Sequence, residues 1–189
     1  MTAQAAEVKG SAMPPSNLVL REVHIGDAEA LAHILITANE AAFRGRIPDQ
    51  CLAFTEAESA ANWRRTLMEG LQPEDFLVVV EPPGGAPVGY AWGGPHDDPV
   101  YCGELRQLMV LPSAQRHGIG RALVVHVADR LAAQGISSLR VEVLRANPNR
   151  GFYERLGARY LDEHPYEQDG VVLPMCVYGW ADTRALRDG

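Results

Sequence analysis

The sequence predicts an α/β (α+β) fold: one mixed central β-sheet with flanking helices. Short apolar segments with the period of strands alternate along the chain with segments whose apolar residues recur at helical spacing. After a first strand and two helices, the next strands follow one another through turns, which makes the first half of the sheet antiparallel. A helical segment separates one later pair and predicts a single β-α-β crossover. With 189 residues, 47% of them apolar, the chain can bury one substantial core.

The first elements are a strand and two helices. Residues 18–24 (LVLREVH) alternate between apolar and polar side chains, as a half-buried strand does. Asp27 has the position of a helix N-cap, and the helix after it is expected to extend to Phe43. Thr55 and Glu58 have the spacing of a capping box, which predicts the start of a second helix.

A hairpin, a third strand and a long helix come next. The segments FLVVVE (76–81) and VGYAWGG (88–94) flank a turn rich in Pro and Gly, and a further strand over 101–111 ends at Pro112. One helical face then repeats apolar residues, namely Leu123, Val124, Val127, Ala128 and Leu131.

The remaining elements complete the sheet. Gly135 ends the long helix, and SLRVEVL (138–144) returns as a strand. The turn Asp169-Gly170 joins the last two strands. A short helix and these two strands are predicted at 152–156, 158–164 and 171–180. We expect one domain over 18–182, a flexible N-terminal tail at 1–17 and a C-terminal tail at 183–189.

Composition excludes several classes of function. The 24 acidic and 17 basic residues give a formal net charge of -7, which disfavours nucleic acid as a partner. We expect no membrane partner, because no apolar run approaches the roughly 20 residues of a transmembrane helix. Three scattered cysteines, Cys51, Cys102 and Cys176, fit a reducing cytoplasm, and no His or Cys spacing predicts a metal site.

The most informative segment is VLPSAQRHGIGRAL (110–123), a strand end, a glycine loop and a helix start. Amide groups and the dipole at a helix N-terminus favour an anion. Gly118 and Gly120 would let a phosphate approach the backbone, and Arg116 and Arg121 would add positive charge. The glycines alone also fit a second interpretation, close packing between helix and sheet.

Two common phosphate-binding motifs do not fit this loop. A P-loop needs Lys and then Ser or Thr after its last glycine, whereas Arg121 and Ala122 follow Gly120. A dinucleotide-binding fingerprint needs a small residue where Leu123 stands, and an acidic residue at the end of the next strand, but Glu142 lies inside its strand.

QRHGIG (115–120) does resemble the coenzyme A pyrophosphate signature of the GNAT superfamily of N-acetyltransferases. A strand of the form E-L-x-x-L-x-V-x-P precedes it at 104–112, and NPNRGFYERLG (147–157) follows, similar to the N…FYExxG element of that family. The resemblance covers about residues 101–160. It implies a GNAT-like sheet and acetyl-CoA as cosubstrate, and the absence of metal-binding spacings adds the expectation of no metal.

The resemblance also implies how the cosubstrate is held. The pantetheine arm would lie between two splayed strands against the backbone of Leu108, Met109 and Val110. Asn147 would hydrogen-bond the coenzyme, although its spacing to Tyr153 is one residue shorter than in many members, so Asn149 is an alternative. The pyrophosphate would lie on the loop formed by Gln115, Arg116, His117, Gly118, Ile119, Gly120 and Arg121.

Two residues are candidates for proton transfer. The acceptor amine must lose a proton before it attacks, since a free alkyl amine has a pKa of roughly 10.4. Glu104 is the candidate base, because it lies on the strand beside the thioester, and Tyr153 would protonate the leaving thiolate and also contact the coenzyme. Each has an ordinary alternative: Glu104 as a solvated strand residue, with water or another group as base, and Tyr153 as a core aromatic.

The predicted function is therefore an acyltransferase that moves acetyl from acetyl-CoA to a primary amine by direct attack in a ternary complex. A covalent route through Cys102 is disfavoured, because a nearby carboxylate raises a thiol's pKa. The acceptor, a small molecule or a peptide, is left open, as is a homodimer. The alternative function is a non-catalytic acyl-CoA sensor or regulatory module.

Overall fold

The structure is a computed structural model that describes residues 18–187, so the tail predicted at 1–17 lies outside the described residues. Seven strands form one sheet in the order β1-β2-β3-β4-β5-β7-β6. The strands are β1 (Val19–Glu22), β2 (Phe76–Glu81), β3 (Gly89–Pro95), β4 (Gly103–Val110), β5 (Leu139–Leu144), β6 (Arg159–Gln168) and β7 (Val171–Trp180). The helices are α1 (Ala28–Phe43), α2 (Glu56–Glu69), α3 (Ile119–Ala133) and α4 (Gly151–Arg155).

The sheet is mixed, and the predicted fold class is confirmed. Strands β1, β2, β3 and β4 pair antiparallel with one another in that order, and β7 pairs antiparallel with both β5 and β6. Among the described strands only β4 and β5 pair in parallel, and α3 connects them, which is the predicted β-α-β crossover. Within residues 18–187, no helix has both the length and the apolar character needed to cross a bilayer.

Helices cover both faces of the sheet. Val78 and Val80 of β2 belong to the core under α3, whereas Leu77 and Val79 of the same strand belong to the core under α1 and α2. All four side chains are buried. This two-sided burial explains why β2 is a continuous apolar run in the sequence rather than an alternating one.

The local signals in the sequence correspond to real boundaries. Thr55 and Glu58 form the expected capping box, with the Thr55 amide donating to Glu58 Oε2 at 2.9 Å. Asp169 and Gly170 form the turn between β6 and β7, and both have positive φ, at 51° and 76°. β6 extends to Gln168, beyond the predicted end at residue 164, because its pairing with β7 continues up to this turn.

The end of the described chain packs against the core, which the sequence did not predict. Residues Thr183–Leu186 form a 3-10 turn, and the Leu186 side chain is 2% exposed. Arg121 Nη2 of α3 also donates to the Leu186 carbonyl oxygen at 3.0 Å. The segment expected to be a tail thus contributes an apolar anchor under α3, and only residues 188–189 lie outside the described part.

Asp27 is the N-cap residue of α1, as predicted, but its side chain does not cap that helix. The carboxylate accepts hydrogen bonds from Arg21 Nη1 at 2.7 Å, from Arg21 Nη2 at 2.8 Å and from the His24 amide at 2.9 Å. Burial alone would raise the pKa of Asp27, but the bonds from Arg21 and His24 outweigh it and lower that pKa. Because Arg21 also binds Glu81, this cluster joins β1, β2 and the start of α1.

We predict that Asp27→Asn lowers the free energy of unfolding by about 2–3 kcal/mol near neutral pH, because it leaves the Arg21 guanidinium without its buried partner. Ionised Asp27 stabilises the fold above its unfolded pKa of roughly 3.9, and this contribution is lost as the pH falls through the lower folded pKa. The difference between wild type and variant should therefore shrink at acidic pH.

Urea unfolding at pH 7 and at pH 3 measures this difference. Asp129→Asn is the matched control, since Asp129 pairs with Arg187 in an ion pair whose side chains are about half exposed. It should leave the free energy of unfolding nearly unchanged. Equal effects of the two substitutions would contradict a stabilising role for the Arg21 cluster.

Candidate active site

Strands β4 and β5 separate after two pairs of residues. Their register contains only Glu104 opposite Arg140 and Leu105 opposite Val141, although both strands continue for several residues. Arg106, the next residue of β4, has no partner on β3 and forms a bulge. A bulge bends its strand, and here it lies where β4 departs from β5. A gap between two parallel strands results.

A cavity of about 600 Å³ occupies this gap. Leu108, Met109 and Val110 of β4 line it, as expected for the strand beside a pantetheine arm. Residues from α4 and the loop before α3 also line it, as do residues from α1, which packs on the opposite face of the sheet. The cavity lining therefore extends through the sheet from one face to the other. We call the part near α3 and the part near α1 the two mouths of the cavity.

The mouth near α3 suits an anion. Gly118 is the N-cap of α3 with φ 79°, and Arg116 is also left-handed, with φ 68°. The first amide groups of a helix have no acceptor within it. Arg116, Arg121 and, from α4, Arg155 line the cavity at this mouth. Backbone donors and cationic side chains therefore lie together around one opening.

Glycine is needed at the two positions of the loop for different physical reasons. A Cβ at Gly118 would meet nothing within 4 Å, so the left-handed backbone is what requires glycine there. A Cβ at Gly120 would lie 3.1 Å from the Phe152 ring of α4. Close packing, the second interpretation of the sequence, thus applies to Gly120, but against α4 rather than against the sheet as expected.

The other predicted loop residues take different positions. Gln115 lines the cavity, and its Nε2 donates to the Val110 carbonyl oxygen at 3.0 Å, which ties the loop to the end of β4. His117 is not among the residues that line the cavity, and its Nδ1 is 3.4 Å from the Ala114 carbonyl oxygen. Ile119 is buried in the core under α3.

Tyr153 of α4 lines the cavity and is 8% exposed. Its ring stacks on Tyr178 at a centroid distance of 6.2 Å and meets Phe152 and Trp180 edge to face. Burial raises the pKa of the Tyr153 hydroxyl well above its ordinary value, so the phenol stays protonated throughout the neutral range.

Asn147 and Asn149 both line the cavity between β5 and α4. The Asn147 side-chain oxygen accepts a hydrogen bond from the Asn149 amide at 2.8 Å, which fixes the turn before α4. The Asn147 backbone carbonyl oxygen accepts from the Arg150 amide at 3.4 Å, so both oxygens of Asn147 already serve the turn, and Asn149 is the more exposed residue of the two.

Glu104 lies at the closed end of the gap, where β4 and β5 still pair. It is not among the residues that line the cavity. Its Oε2 accepts a hydrogen bond from Arg106 Nη1 at 2.6 Å, and Arg140 Nε is 3.7 Å from its Oε1. Two guanidinium groups thus share this carboxylate.

Glu142 is a site residue that the sequence analysis did not select. It lines the cavity from β5, on the α1 face of the sheet, whereas Tyr153 lines it from the α3 side. Arg140 Nη2 donates to Glu142 Oε1, and His164 Nε2 is 3.2 Å from the same oxygen. The hydrogen bond between His164 and the Pro165 carbonyl oxygen, together with Glu142, raises the pKa of His164.

The mouth on the α1 face is mostly apolar. Leu35, Ala38, Ala42 and Phe43 of α1 line it together with Met175 of β7. Its polar lining includes Asn39 of α1 and Tyr166 and Gln168 of β6, and at its inner end Glu142 of β5 and Arg106 and Gln107 of β4. The helix α1 and the β6–β7 hairpin are therefore its two walls.

Comparison with known proteins identifies the chain. The model of the acetyltransferase (GNAT) family matches residues 40–158, which include the gap, the glycine loop and α4. The chain belongs to the GNAT family. The resemblance drawn from the sequence motifs is thus confirmed, and the protein is an acyltransferase.

Relatives of this GNAT protein include further acetyltransferases. The uncharacterized N-acetyltransferase YuaI of Bacillus subtilis strain 168 is 28% identical over 173 residues, which cover 90% of this chain and 96% of that protein. A mycothiol acetyltransferase of Arthrobacter sp. strain FB24 is 31% identical over 167 residues, or 83% of this chain. The match covers only 47% of the Arthrobacter protein, so this chain spans about half of its length.

Solved structures share the fold. The PaiA N-acetyltransferase of Thermoplasma acidophilum, crystallised with coenzyme A, superposes with a TM-score of 0.63 at 16% identity, over 86% of this chain and 99% of that one. An acetyltransferase from Thermus thermophilus gives a TM-score of 0.60 at 20% identity, over 89% and 99%. At these identities the likeness concerns the fold alone.

The GNAT motifs could not reveal Glu142, because it lies between them, outside residues 104–112, 115–120 and 147–157. A signal was nevertheless present in the alternation of β5. Leu139, Val141 and Val143 are buried under α3, so Arg140 and Glu142 had to face the opposite side of the same strand. The alternation does not show that β4 separates from β5. It is this separation that exposes the Glu142 face of β5 to the cavity.

Proposed function

We propose that this GNAT protein transfers the acetyl group of acetyl-CoA to a primary amine by direct attack within a ternary complex. The observation that carries the proposal is a through-going cavity between β4 and β5 with a cationic, amide-rich mouth on one face and an apolar mouth on the other. Two reactants that enter from opposite faces would meet inside the sheet. Such a meeting makes the attack effectively unimolecular.

In this proposal the cofactor half of the site is mainly backbone. The edge of β4 at Leu108, Met109 and Val110 offers peptide groups to a pantetheine arm, in place of the missing β5 partner. The loop before α3, with Arg116 and Arg121, would hold the pyrophosphate. A β4 amide that polarises the thioester carbonyl would also stabilise the oxyanion of the tetrahedral intermediate.

The proposed proton transfers use two side chains on opposite faces. Glu142, directly or through water, takes the proton that the amine must lose before its nitrogen attacks the carbonyl carbon. The C–N bond then forms and the C–S bond breaks. Tyr153, which stays protonated at neutral pH, donates its proton to the departing thiolate. Glu104, the candidate from the sequence, is the alternative base.

Direct attack is favoured over an acetyl-cysteine intermediate by the positions of the thiols. Cys51 and Cys176 are buried in the protein, and Cys102 is exposed beyond the closed end of the gap. None of the three is among the residues that line the cavity in the described chain.

We predict that Gly118→Ala weakens the binding of acetyl-CoA by roughly ten-fold. An alanine in the left-handed conformation is strained by about 1–2 kcal/mol, and the loop would relieve this strain by moving its amide groups. Calorimetric titration with acetyl-CoA measures the affinity of each variant.

Gly135→Ala is the matched control for this substitution. Gly135 follows α3 at its other end with φ 83°, and a Cβ there would also meet nothing within 4 Å. It carries the same backbone strain away from the cavity, so the affinity should stay at the wild-type value. Equal affinities of the two variants would rule out the loop as the pyrophosphate site.

Incubation of the protein with acetyl-CoA and a panel of primary amines should release coenzyme A thiol, and Tyr153→Phe should slow this release. Loss of a positioned proton donor lowers a rate by about 10²–10⁴, so kcat should fall by at least tens-fold. The affinity for acetyl-CoA should change little, because the ring and its stacking on Tyr178 remain. A thiol-reactive dye follows the release.

Tyr160→Phe serves as the control, since Tyr160 also contacts Tyr178 but is 54% exposed on β6. It should retain the wild-type kcat. A normal kcat in Tyr153→Phe, when chemistry limits turnover, would eliminate Tyr153 as the acid. Binding of acetyl-CoA without thiol release for any amine would favour the acyl-CoA sensor instead.

A matched pair of substitutions shows which glutamate acts as the base. Glu142→Gln should lower kcat by about 10²-fold, whereas Glu104→Gln should have a much smaller effect, because Glu104 lies outside the cavity lining. Thermal unfolding of both variants checks that they remain folded. The reverse order of effects would make Glu104 the base, and wild-type kcat in both would leave water or another group in that role.

A further inference from the structure

The charged groups on the α1 face of the sheet carry an excess of negative charge, which one additional cation would offset. They form a row: Asp75, Glu104, Glu142, Arg106 and Arg140, with His96 and His164 beside them. Within these five residues three carboxylates stand against two guanidinium groups, and the Asp98 carboxylate also interacts with Arg140 and His96, so negative charge is in excess when both histidines are neutral. Arg106 lines the cavity, but it already binds Asp75 and Glu104.

Glu142 is the only carboxylate among the described residues that line the cavity. A polycation such as a polyamine or an aminoglycoside needs several acidic groups spaced along its length. The protein is acidic as a whole, but the other carboxylates of the row lie outside the cavity lining, at the closed end of the gap and behind Arg106. The mouth on the α1 face therefore offers one counter-charge at its inner end.

Beyond Glu142 the mouth is lined by apolar surface. Four side chains of α1, together with Met175, form this lining, and Tyr166 adds an aromatic ring. An apolar group that enters is removed from water, which is favourable in proportion to its buried area. The carboxamide groups of Asn39, Gln107 and Gln168 are neutral and supply orientation rather than charge.

Two hydrogen bonds, which we call the latch, join the two walls of this mouth. Gln50 Nε2 donates to the Asp169 carbonyl oxygen at 2.8 Å, and Gln168 Nε2 donates to the Cys51 carbonyl oxygen at 3.0 Å. These bonds connect the segment after α1 to the β6–β7 turn. Because they tie the two walls together, they restrict the space between the walls and disfavour an extended peptide there.

We infer that the acceptor is a compact amine with a single positive charge and an apolar, aromatic-sized body, held with its ammonium group at Glu142 and its body against α1. This inference rests on the proposed function and adds the class of the acceptor to it. The charge of the row, the apolar lining and the latch support it independently. Each of the three properties excludes a different class of amine.

Steady-state thiol release at pH 8.5 compares four probes with acetyl-CoA held at saturation. They are 2-phenylethylamine, ethanolamine, spermidine and a peptide with an internal lysine. We expect kcat/KM for 2-phenylethylamine to exceed that for each of the other three by at least about ten-fold.

A substitution in the apolar wall should change this preference. Asn39→Asp adds a second carboxylate to the mouth with almost no change in shape, so kcat/KM for spermidine relative to 2-phenylethylamine should rise by about ten-fold. Asn62→Asp makes the same change on the exposed surface of α2, where Asn62 binds Arg65, and should leave the ratio unchanged.

Each possible result supports or overturns a specific part of the inference. A wild-type preference for spermidine, ethanolamine or the peptide overturns the acceptor class but leaves acetyl transfer intact. An unchanged ratio in Asn39→Asp, with a normal ratio in Asn62→Asp, shows that the acceptor does not occupy this mouth. Thiol release with none of the four probes, despite binding of acetyl-CoA, overturns the acceptor class, and its absence across the whole panel of amines would overturn acetyl transfer as well.

Discussion

The short pairing between β4 and β5 is the constraint on which the site depends. Parallel strands normally satisfy each other's peptide groups, but here the ladder ends after Glu104–Leu105 opposite Arg140–Val141. The bulge at Arg106 bends β4 and coincides with this end. Because buried peptide groups need partners, the open edges of both strands favour a ligand that can supply them. The cavity between the helix layers is a direct consequence.

The two faces of the gap have opposite electrostatic character. The loop before α3 presents a helix N-terminus and arginines, which favour phosphate groups. The α1 face presents a row of ion pairs whose carboxylates outnumber its guanidinium groups by one. Such a row is expensive to desolvate, and the close pairing of Asp75, Arg106 and Glu104 offsets that penalty. An anionic cosubstrate and a cationic acceptor would thus be sorted to different mouths.

The glycine loop illustrates why one motif carries two physical requirements. Gly118 meets a conformational requirement, since its backbone is left-handed and its surroundings are open. Gly120 meets a packing requirement, since the Phe152 ring occupies the space of a Cβ. Phe152 belongs to α4, which also carries Tyr153. The loop and the proposed acid are therefore held in register by direct contact between the helices.

The sequence by itself determined the elements and the family. Capping at Thr55, the apolar run of β2 and the turn at Asp169 are local signals, and the motifs around QRHGIG identified the GNAT family. Only the tertiary structure decided which side chains share the cavity. Glu104 and Glu142 look alike in the sequence, as glutamates within strands. The separation of β4 from β5 leaves Glu104 at the closed end and opens the cavity to Glu142, because a bulge and the packing of distant strands set that separation.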